Sequence, residues 1–293
     1  MPSFAPAGPH VLFHGHAVIL GETRLDAGDA TFRREGVAEV WPNIAFPRMP
    51  LGIRAADQPP VFGDANTAIL FSVGRPYRRI SIDGHGSWTE WIEIRPDILA
   101  EMVASLSEGG APASATVFAS GSAPAPPATH LALRHALGWL SRAGVADALA
   151  LEESALSIVH DVLVAGRAAE PGAALRPESR DVVFDVQAIL NRRLGEPLSL
   201  ADISKAIGVS AYHLCRMFRR HTGVPIHRYR DRLRLFASLD MILEGTHSVL
   251  DIALTLGYAN EAHFSDAFRR TFGTRPGAYR RTVRGARKKG ETR

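Results

Sequence analysis

One stretch of this chain is written twice. Residues 199–230 read SLADISKAIGVSAYHLCRMFRRHTGVPIHRYR, and residues 248–280 read SVLDIALTLGYANEAHFSDAFRRTFGTRPGAYR. Alignment pairs Ile203 with Ile252 and Gly208 with Gly257. After one extra residue in the second turn it pairs His213 with His263 and Phe218 with Phe268. Arg219-Arg220 then falls on Arg269-Arg270, Gly223 on Gly273, and Tyr229-Arg230 on Tyr279-Arg280. Self-similarity of this kind marks one supersecondary unit used twice.

Each copy reads as a short helix, a glycine-containing turn and a longer basic helix, the helix-turn-helix pattern. Gly208 and Gly257 let the chain turn sharply without a Cβ clash. Ser210 and Asn260 suit the N-cap of the second helix. Small residues at Ser204 and Ala253 allow the two helices to cross closely. Leu214, Met217 and Phe218 form an inward face, matched by Phe264, Ala267 and Phe268. That leaves Ala211, Tyr212, Cys215 and Arg216 outside in the first copy, and Glu261, Ala262, Ser265 and Asp266 in the second. In this motif such positions face base edges in the major groove. The paired arginines at the far end are placed to meet phosphates. Between the copies, Pro225–Leu243 is predicted as a helix of about 28 Å. Its buried stripe is Ile226, Tyr229, Leu233, Phe236, Leu239 and Leu243. A rod of that length would hold the two motifs near one turn of DNA apart, ~34 Å.

Charge divides along the same line. Residues 1–175 hold 12 Lys+Arg against 18 Asp+Glu, whereas residues 176–293 hold 22 against 12. An acidic half joined to a basic half suggests that only one of them meets a polyanion. With 46% hydrophobic and 22% charged residues, the 293-residue chain is ordinary for a folded protein of about two domains. The single cysteine, Cys215, excludes an internal disulfide and any multi-cysteine zinc or iron–sulfur site. No apolar run approaches the ~18 residues of a membrane span, and MPSFAPAGPH lacks the features of a secretory signal. The expectation is a soluble protein of a reducing cytoplasm, with no membrane contact.

The first half reads as strands at Val11–Leu20, Glu39–Phe46, Thr67–Val73 and Thr89–Ile94, punctuated by Gly, Pro, Asn and Asp. Close turn signals suggest a β-sandwich or small barrel. A short helix is expected over Asp97–Leu106, a loop or linker over 107–128, helices over Thr129–Arg142 and Val145–Ala165, and a second linker over Ala169–Pro177. From there the pattern is helical, beginning with Asp181–Leu194.

Residues 180–283, on the strength of GVSAYHLCRMFRRHTGVP (208–225) and GYANEAHFSDAFRRTFGTRPGAYRR (257–281), resemble the two-motif DNA-binding domain of the AraC/XylS family of bacterial transcription regulators. The resemblance covers about a third of the chain. It implies double-stranded DNA as partner, a transcription regulator that is usually an activator acting with RNA polymerase, and a first domain that senses a small-molecule effector or mediates dimerisation. Residue by residue, Tyr212, Cys215 and Arg216 fall on the first reading helix, with Ser210, Ala211, Arg219 and Arg220 around them. Ala262, His263, Ser265 and Asp266 fall on the second, with Asn260, Glu261, Arg269 and Arg270. Asp266 stands where some members carry a base-reading arginine. Its carboxylate can accept from cytosine N4, or pair with Arg269 or Arg270 on its own helix.

More faintly, residues 10–100 resemble the cupin-like β-barrel sensor domains of some members. The fold class that follows is a multidomain α and β chain. Its expected parts are a cupin-like barrel (1–110), a linker and helical dimerisation region (111–175) with a homodimer contact through 129–165, a double helix-turn-helix domain (176–285) and a basic tail (286–293). Trp41, Phe46, Phe71, Tyr77 and Trp88 are candidates to line an effector pocket. The cupin metal motif is missing: His14-Gly15-His16 is the lone H-x-H and is read as same-face strand residues, so neither metal nor cofactor is assigned. G-x-S-x-G, a P-loop, a dinucleotide fingerprint and H-E-x-x-H are all absent, which argues against an enzyme.

Overall fold

Gly15 ends the first strand earlier than the apolar run 11–20 suggests. Its N–H donates to Val18 O at 2.9 Å, and a Cβ there would run into the Glu152 carboxylate and the Phe13 ring. The run therefore splits into the arms of a hairpin, β1 (Gly8–His14) and β2 (Val18–Leu25). His16 sits in the turn, outside either strand, with its ring 2.8 Å from the Arg95 guanidinium. His14 and His16 are thus not same-face strand neighbours, because the intervening turn reverses the chain.

The computed structural model describes residues 8–38, 40–55, 58–82, 84–106, 118, 121–143, 147–168 and 177–282. The start of the expected strand at Glu39, most of the expected 107–128 linker, the 169–176 linker and the tail after 282 lie outside the described residues. The chain divides into two units, Met1–Ala169 and Glu170–Arg293.

In the first unit the strands form two antiparallel sheets that do not close. The remaining strands are β3 (Glu35–Val37), β4 (Asn43–Pro47), β5 (Leu51–Ala55), β6 (Val61–Gly63), β7 (Thr67–Phe71), β8 (Pro76–Ser81), β9 (Ser87–Ile94) and β10 (Ser122–Pro124). The larger sheet runs β1-β2-β9-β4-β7-β10, the smaller β3-β8-β5-β6. The register aligns Val18 with Ile94, Leu20 with Ile92 and Ile44 with Ile92, so one face of the larger sheet is aliphatic. Two helices, α2 (Pro127–Ala143) and α3 (Ala148–Ala168), follow the short α1 (Pro96–Leu106) and cover that face with Leu133, Ala155, Ile158, Val159 and Val162. The segment 129–165, set apart in the sequence as a region of its own, therefore shares the core of the sheet. The opposite face offers Ala45, Ile69, Phe71 and Trp91 to Leu51 and Ile53 of the smaller sheet.

One end of the aliphatic face is ionic. Glu90, 2% exposed, lies directly across from Glu22. Arg134 from α2 bonds the Glu90 carboxylate, and Arg48 reaches it at 3.3 Å. Glu22 accepts from Trp88 Nε1 and from Arg24, both at 3.0 Å. Two guanidiniums sandwich the Trp88 ring, Arg48 at 3.4 Å and Arg24 at 4.0 Å from its centroid.

The second unit is helical: α4 (Pro177–Arg192), α5 (Leu200–Ile207), α6 (Ala211–Thr222), α7 (Ile226–Glu244), α8 (Val249–Thr255), α9 (Glu261–Phe272) and a last helical stretch over 276–282. The 19-residue α7 lies where the sequence predicts it. It buries Leu235, Ser238 and Ile242 as well as most of the expected stripe, while Leu243 is only half-buried. Its two ends serve different motifs. Tyr229 stacks edge-on to Phe218 of α6 at 5.2 Å and its hydroxyl accepts from Gln187 of α4 at 2.8 Å. Phe236 packs on Phe272 of α9 at 5.9 Å.

Removing one member of a buried ion pair leaves the other charge desolvated. Arg134→Ala should lower stability by about 3 kcal/mol, read as a lower urea midpoint at neutral pH. An unchanged midpoint would mean that Arg48 alone compensates Glu90.

Candidate nucleic-acid interface

Both motifs start with the same cap. Ser199 accepts from the Asp202 N–H at 3.1 Å, and Asp202 accepts in return from the Ser199 N–H at 2.9 Å. Ser248 and Asp251 repeat the box at 3.0 and 3.1 Å. These reciprocal bonds satisfy orphan donors at a helix start. The serine hydroxyl first, then the serine N–H, holds each aspartate below the ordinary carboxylate range. The S-x-x-D spacing at 199–202 and 248–251 is the sequence signal for both boxes.

The turns also match. Gly208 and Gly257 both take φ +76°, a left-handed conformation that favours glycine. The next helix opens on Ser210, whose hydroxyl accepts from the His213 N–H at 3.4 Å. In the second copy Asn260 accepts from the His263 N–H at 2.8 Å. Gly223 and Gly273 close the helices at φ +75° and +73°, their N–H groups donating to Arg219 O and Arg269 O.

Between these caps the faces divide cleanly. Leu214, Met217 and Phe218 are buried in α6, and Phe264, Ala267, Phe268 and Phe272 in α9. On α6, Tyr212 is 78% exposed, and His213, Cys215, Arg216, Arg219 and Arg220 are exposed beside it. Ala211 is half-buried and Ser210 exposed. On α9, Asn260, Glu261, Ala262, His263, Asp266, Arg269 and Arg270 are exposed and Ser265 is half-buried. Asp266 lies 3.7 Å from Arg269, three residues on, with both side chains about half exposed. Among the described residues no carboxylate lies within ion-pair distance of Arg216, Arg219 or Arg220. The arrangement is two outward helix edges, each ending in cations at the C-terminal turn, where the helix dipole favours them.

Sequence reasoning missed the polar contacts beneath these helices. Arg230 of α7 donates to Arg193 O at 3.0 Å and also reaches Glu196 O. Burial first, then Arg234 and Arg193, pulls its guanidinium down to about 10. Arg234 Nε donates to Leu194 O at 2.8 Å. The Tyr258 hydroxyl donates to Asp231 at 2.6 Å, and burial together with that bond pushes it far above the ordinary phenol range. The repeat pairs Arg230 with Arg280, which likewise donates to a backbone carbonyl, His247 O at 2.7 Å, whereas nothing in the pattern sets Arg234 apart from a solvated arginine.

The five aromatic candidates of the first unit do not converge on one place. Phe46 is core, 1% exposed and edge-on to His130. Trp88 lies between its two arginines, and Trp41 is half-buried. Phe71 and Tyr77, 4.3 Å apart, do line a small common concavity with Ile53, Gln58, Val61 and Arg75.

A helix-turn-helix domain family matches residues 203–282, which span both copies. The chain is 33% identical over 117 residues to the HTH-type transcriptional regulator GlxA of Rhizobium meliloti, covering 40% of this chain and 35% of that protein. It is 27% identical over 145 residues to the HTH-type transcriptional activator RhaS of Salmonella schwarzengrund, covering 49% and 51%. Among solved structures it resembles a transcriptional regulator of Chromobacterium violaceum described by AraC-type DNA-binding domains, at 27% identity and TM-score 0.35, over 37% of this chain and 96% of that one. The chain spans about a third to a half of the length of these curated relatives. Two bihelical copies with shared caps and turns, matched by one helix-turn-helix domain family over residues 203–282, make this region of the chain similar to HTH-type transcriptional regulators.

Proposed function

We propose that the chain is a sequence-specific DNA-binding transcription regulator that sets α6 and α9 into successive major grooves. The observation that carries this is the duplicated outward edge. Two helices with the same caps bury the same positions and expose the same ones, and Arg216, Arg219 and Arg220 stand free of acidic partners among the described residues. A purely structural helix has no need of three arginines free of acidic partners along one exposed edge. Tyr212, Cys215 and Arg216 read bases in the first groove, with Ala211 close against the DNA. Ser210, Arg219 and Arg220 hold phosphates. Glu261, Ala262, His263, Ser265 and Asp266 face the second groove, with Asn260, Arg269 and Arg270 on the backbone.

The first unit acts in this reading as a cupin-like sensor. Its support is the small concavity beside Phe71 and Tyr77, lined by both apolar and polar side chains. A second copy of the chain docks through 129–165, where Leu149 (67% exposed) and Val164 (41%) stand on the outer side of α3. Regulation is activation through RNA polymerase, in the cytoplasm. No helix among the described residues is long and apolar enough to cross a membrane.

Two measurements test the reading. Arg216→Ala should weaken specific binding by ~1–3 kcal/mol and relax one base position, as read in a binding selection on randomised duplex. An unchanged site preference would remove Arg216 from the reading set. Affinity should also fall steeply with salt. About six phosphate contacts imply a slope of log K on log salt near −5, and Arg219→Ala or Arg220→Ala should each flatten it by about one. A flat salt response would point the helical unit toward a protein partner.

A further inference from the structure

The two copies differ at one telling place. A Cβ at Gly208 would meet nothing within 4 Å. A Cβ at Gly257 would lie 2.5 Å from Arg234 Nη2 and 2.6 Å from Gly195 O. Gly195 belongs to the loop between α4 and α5, in the first motif's half of the unit. A Cβ there would run into Thr255 O, at the turn of the second motif. The two motifs therefore touch backbone to backbone, glycine against turn, and side chains on either residue would force them apart.

Arg234 lies under this contact and belongs to both sides of it. Its Nε donates to Leu194 O, next to Gly195. Its guanidinium lies beneath Gly257, with its carbon 5.7 Å from the Tyr258 ring centroid. Tyr258 is tied in turn to Asp231 of α7, one helical turn back from Arg234. One turn back as well, Arg230 holds the same α4–α5 loop through Arg193 O and Glu196 O. The long helix alone would fix the separation of the motifs along its axis. Rotation of one motif about that axis needs a second point of attachment.

We propose that the Arg234 guanidinium, seated under the Gly195–Gly257 contact, is the brace that fixes the rotation of the second reading helix relative to the first, and so sets which spacing between two DNA boxes the chain accepts. This rests on the DNA reading above. Arg234 is a positioning residue: it lies at the seam between the motifs and not on either reading edge. Adding one base pair between two boxes moves the far box by about 3.4 Å and turns it by about 34°. A braced domain loses one set of contacts under that change, whereas a hinged one follows the DNA.

The test uses the full chain. A binding selection on long random duplexes yields the preferred two-box site. Duplexes are then made with one base pair added or removed between the boxes, and with each box alone. The wild-type chain should lose about tenfold or more in affinity on either change, the scale of losing a base contact or more. Arg234→Met should bind each single box as the wild type does, yet lose less than about threefold on changing the spacing. Should Arg234→Met lose its helical circular dichroism, Gly195→Ala carries the same test: its added methyl should shift or flatten the spacing preference and leave single-box affinity alone. If the variant that folds keeps the wild-type spacing penalty, or weakens single boxes as much as paired ones, the brace is wrong while the DNA reading stands. If the wild-type chain selects no two-box site at all, the DNA reading fails and the brace goes with it.

Discussion

A helix of eight residues followed by one of twelve cannot hold itself together in water. Isolated helices are marginal below ~12–15 residues, and α5 and α6 fall at or under that length. Each motif stands because its inward edge is buried against its neighbours in the helical unit, α7 among them. Phe218 on Tyr229 anchors the first. In the second, Phe268 packs at 5.8 Å from Phe264, 4.7 Å from Phe272 and 6.1 Å from Tyr279. Full burial of such a ring contributes roughly 2–3 kcal/mol. The buried edge frees the other edge: with stability drawn from the aromatic core, the outer residues of α6 and α9 are left open to chemistry that contributes nothing to folding.

The more buried arginines of the two units hold different partners. In the first unit, Arg24, Arg48, Arg95 and Arg134 are each committed to a carboxylate, and two of them also stack on Trp88. The buried Glu90 makes that commitment necessary, since a lone carboxylate between helix and sheet would be strongly destabilising. In the second unit Arg230 and Arg234 are spent on backbone carbonyls under the motifs. Arg216, Arg219 and Arg220 remain outward. The charge asymmetry seen along the sequence thus becomes a difference in what the guanidiniums already hold.

The helical unit was legible because its pattern is local. Caps, turn glycines and a buried edge at helical spacing all lie within one copy, and a second copy repeats them. The sheet unit was less legible for the converse reason. β3 and β6 are three residues each, too short to show alternation, and β8 carries Arg78 and Arg79 amid a strand pattern. What pairs them is register with distant partners such as Glu35 with Arg78, and Gly52 with both Ile80 and Phe62. The hairpin at Gly15 was hidden in one apolar run because the residue that accepts the turn's N–H groups, Glu152, comes from α3. The brace was hidden likewise: Arg234 and Gly195 matter only through a contact between elements forty residues apart. As for the outer edges of α6 and α9, the sequence placed their residues outward by spacing, and the structure exposes them except for Ala211 and Ser265, which are half-buried.

The two reading helices are alike in architecture and unlike in charge. Among its twelve residues α6 has no acid, and it carries Arg216, Arg219 and Arg220. The second helix, α9, sets Glu261 and Asp266 against Arg269 and Arg270, with Asp266 already drawn toward Arg269. A polyanion would therefore meet an undiluted cation edge at the first motif and a nearly balanced one at the second. Long-range attraction would be strongest at α6, and the second helix would engage only where its exact partners lie in reach. Under that division of labour α9 gains little from binding in a wrong place, because its acids repel phosphate there. Rigid seating of the second helix then matters more than its own charge, which is why a packed seam between the motifs is the feature on which discrimination would turn.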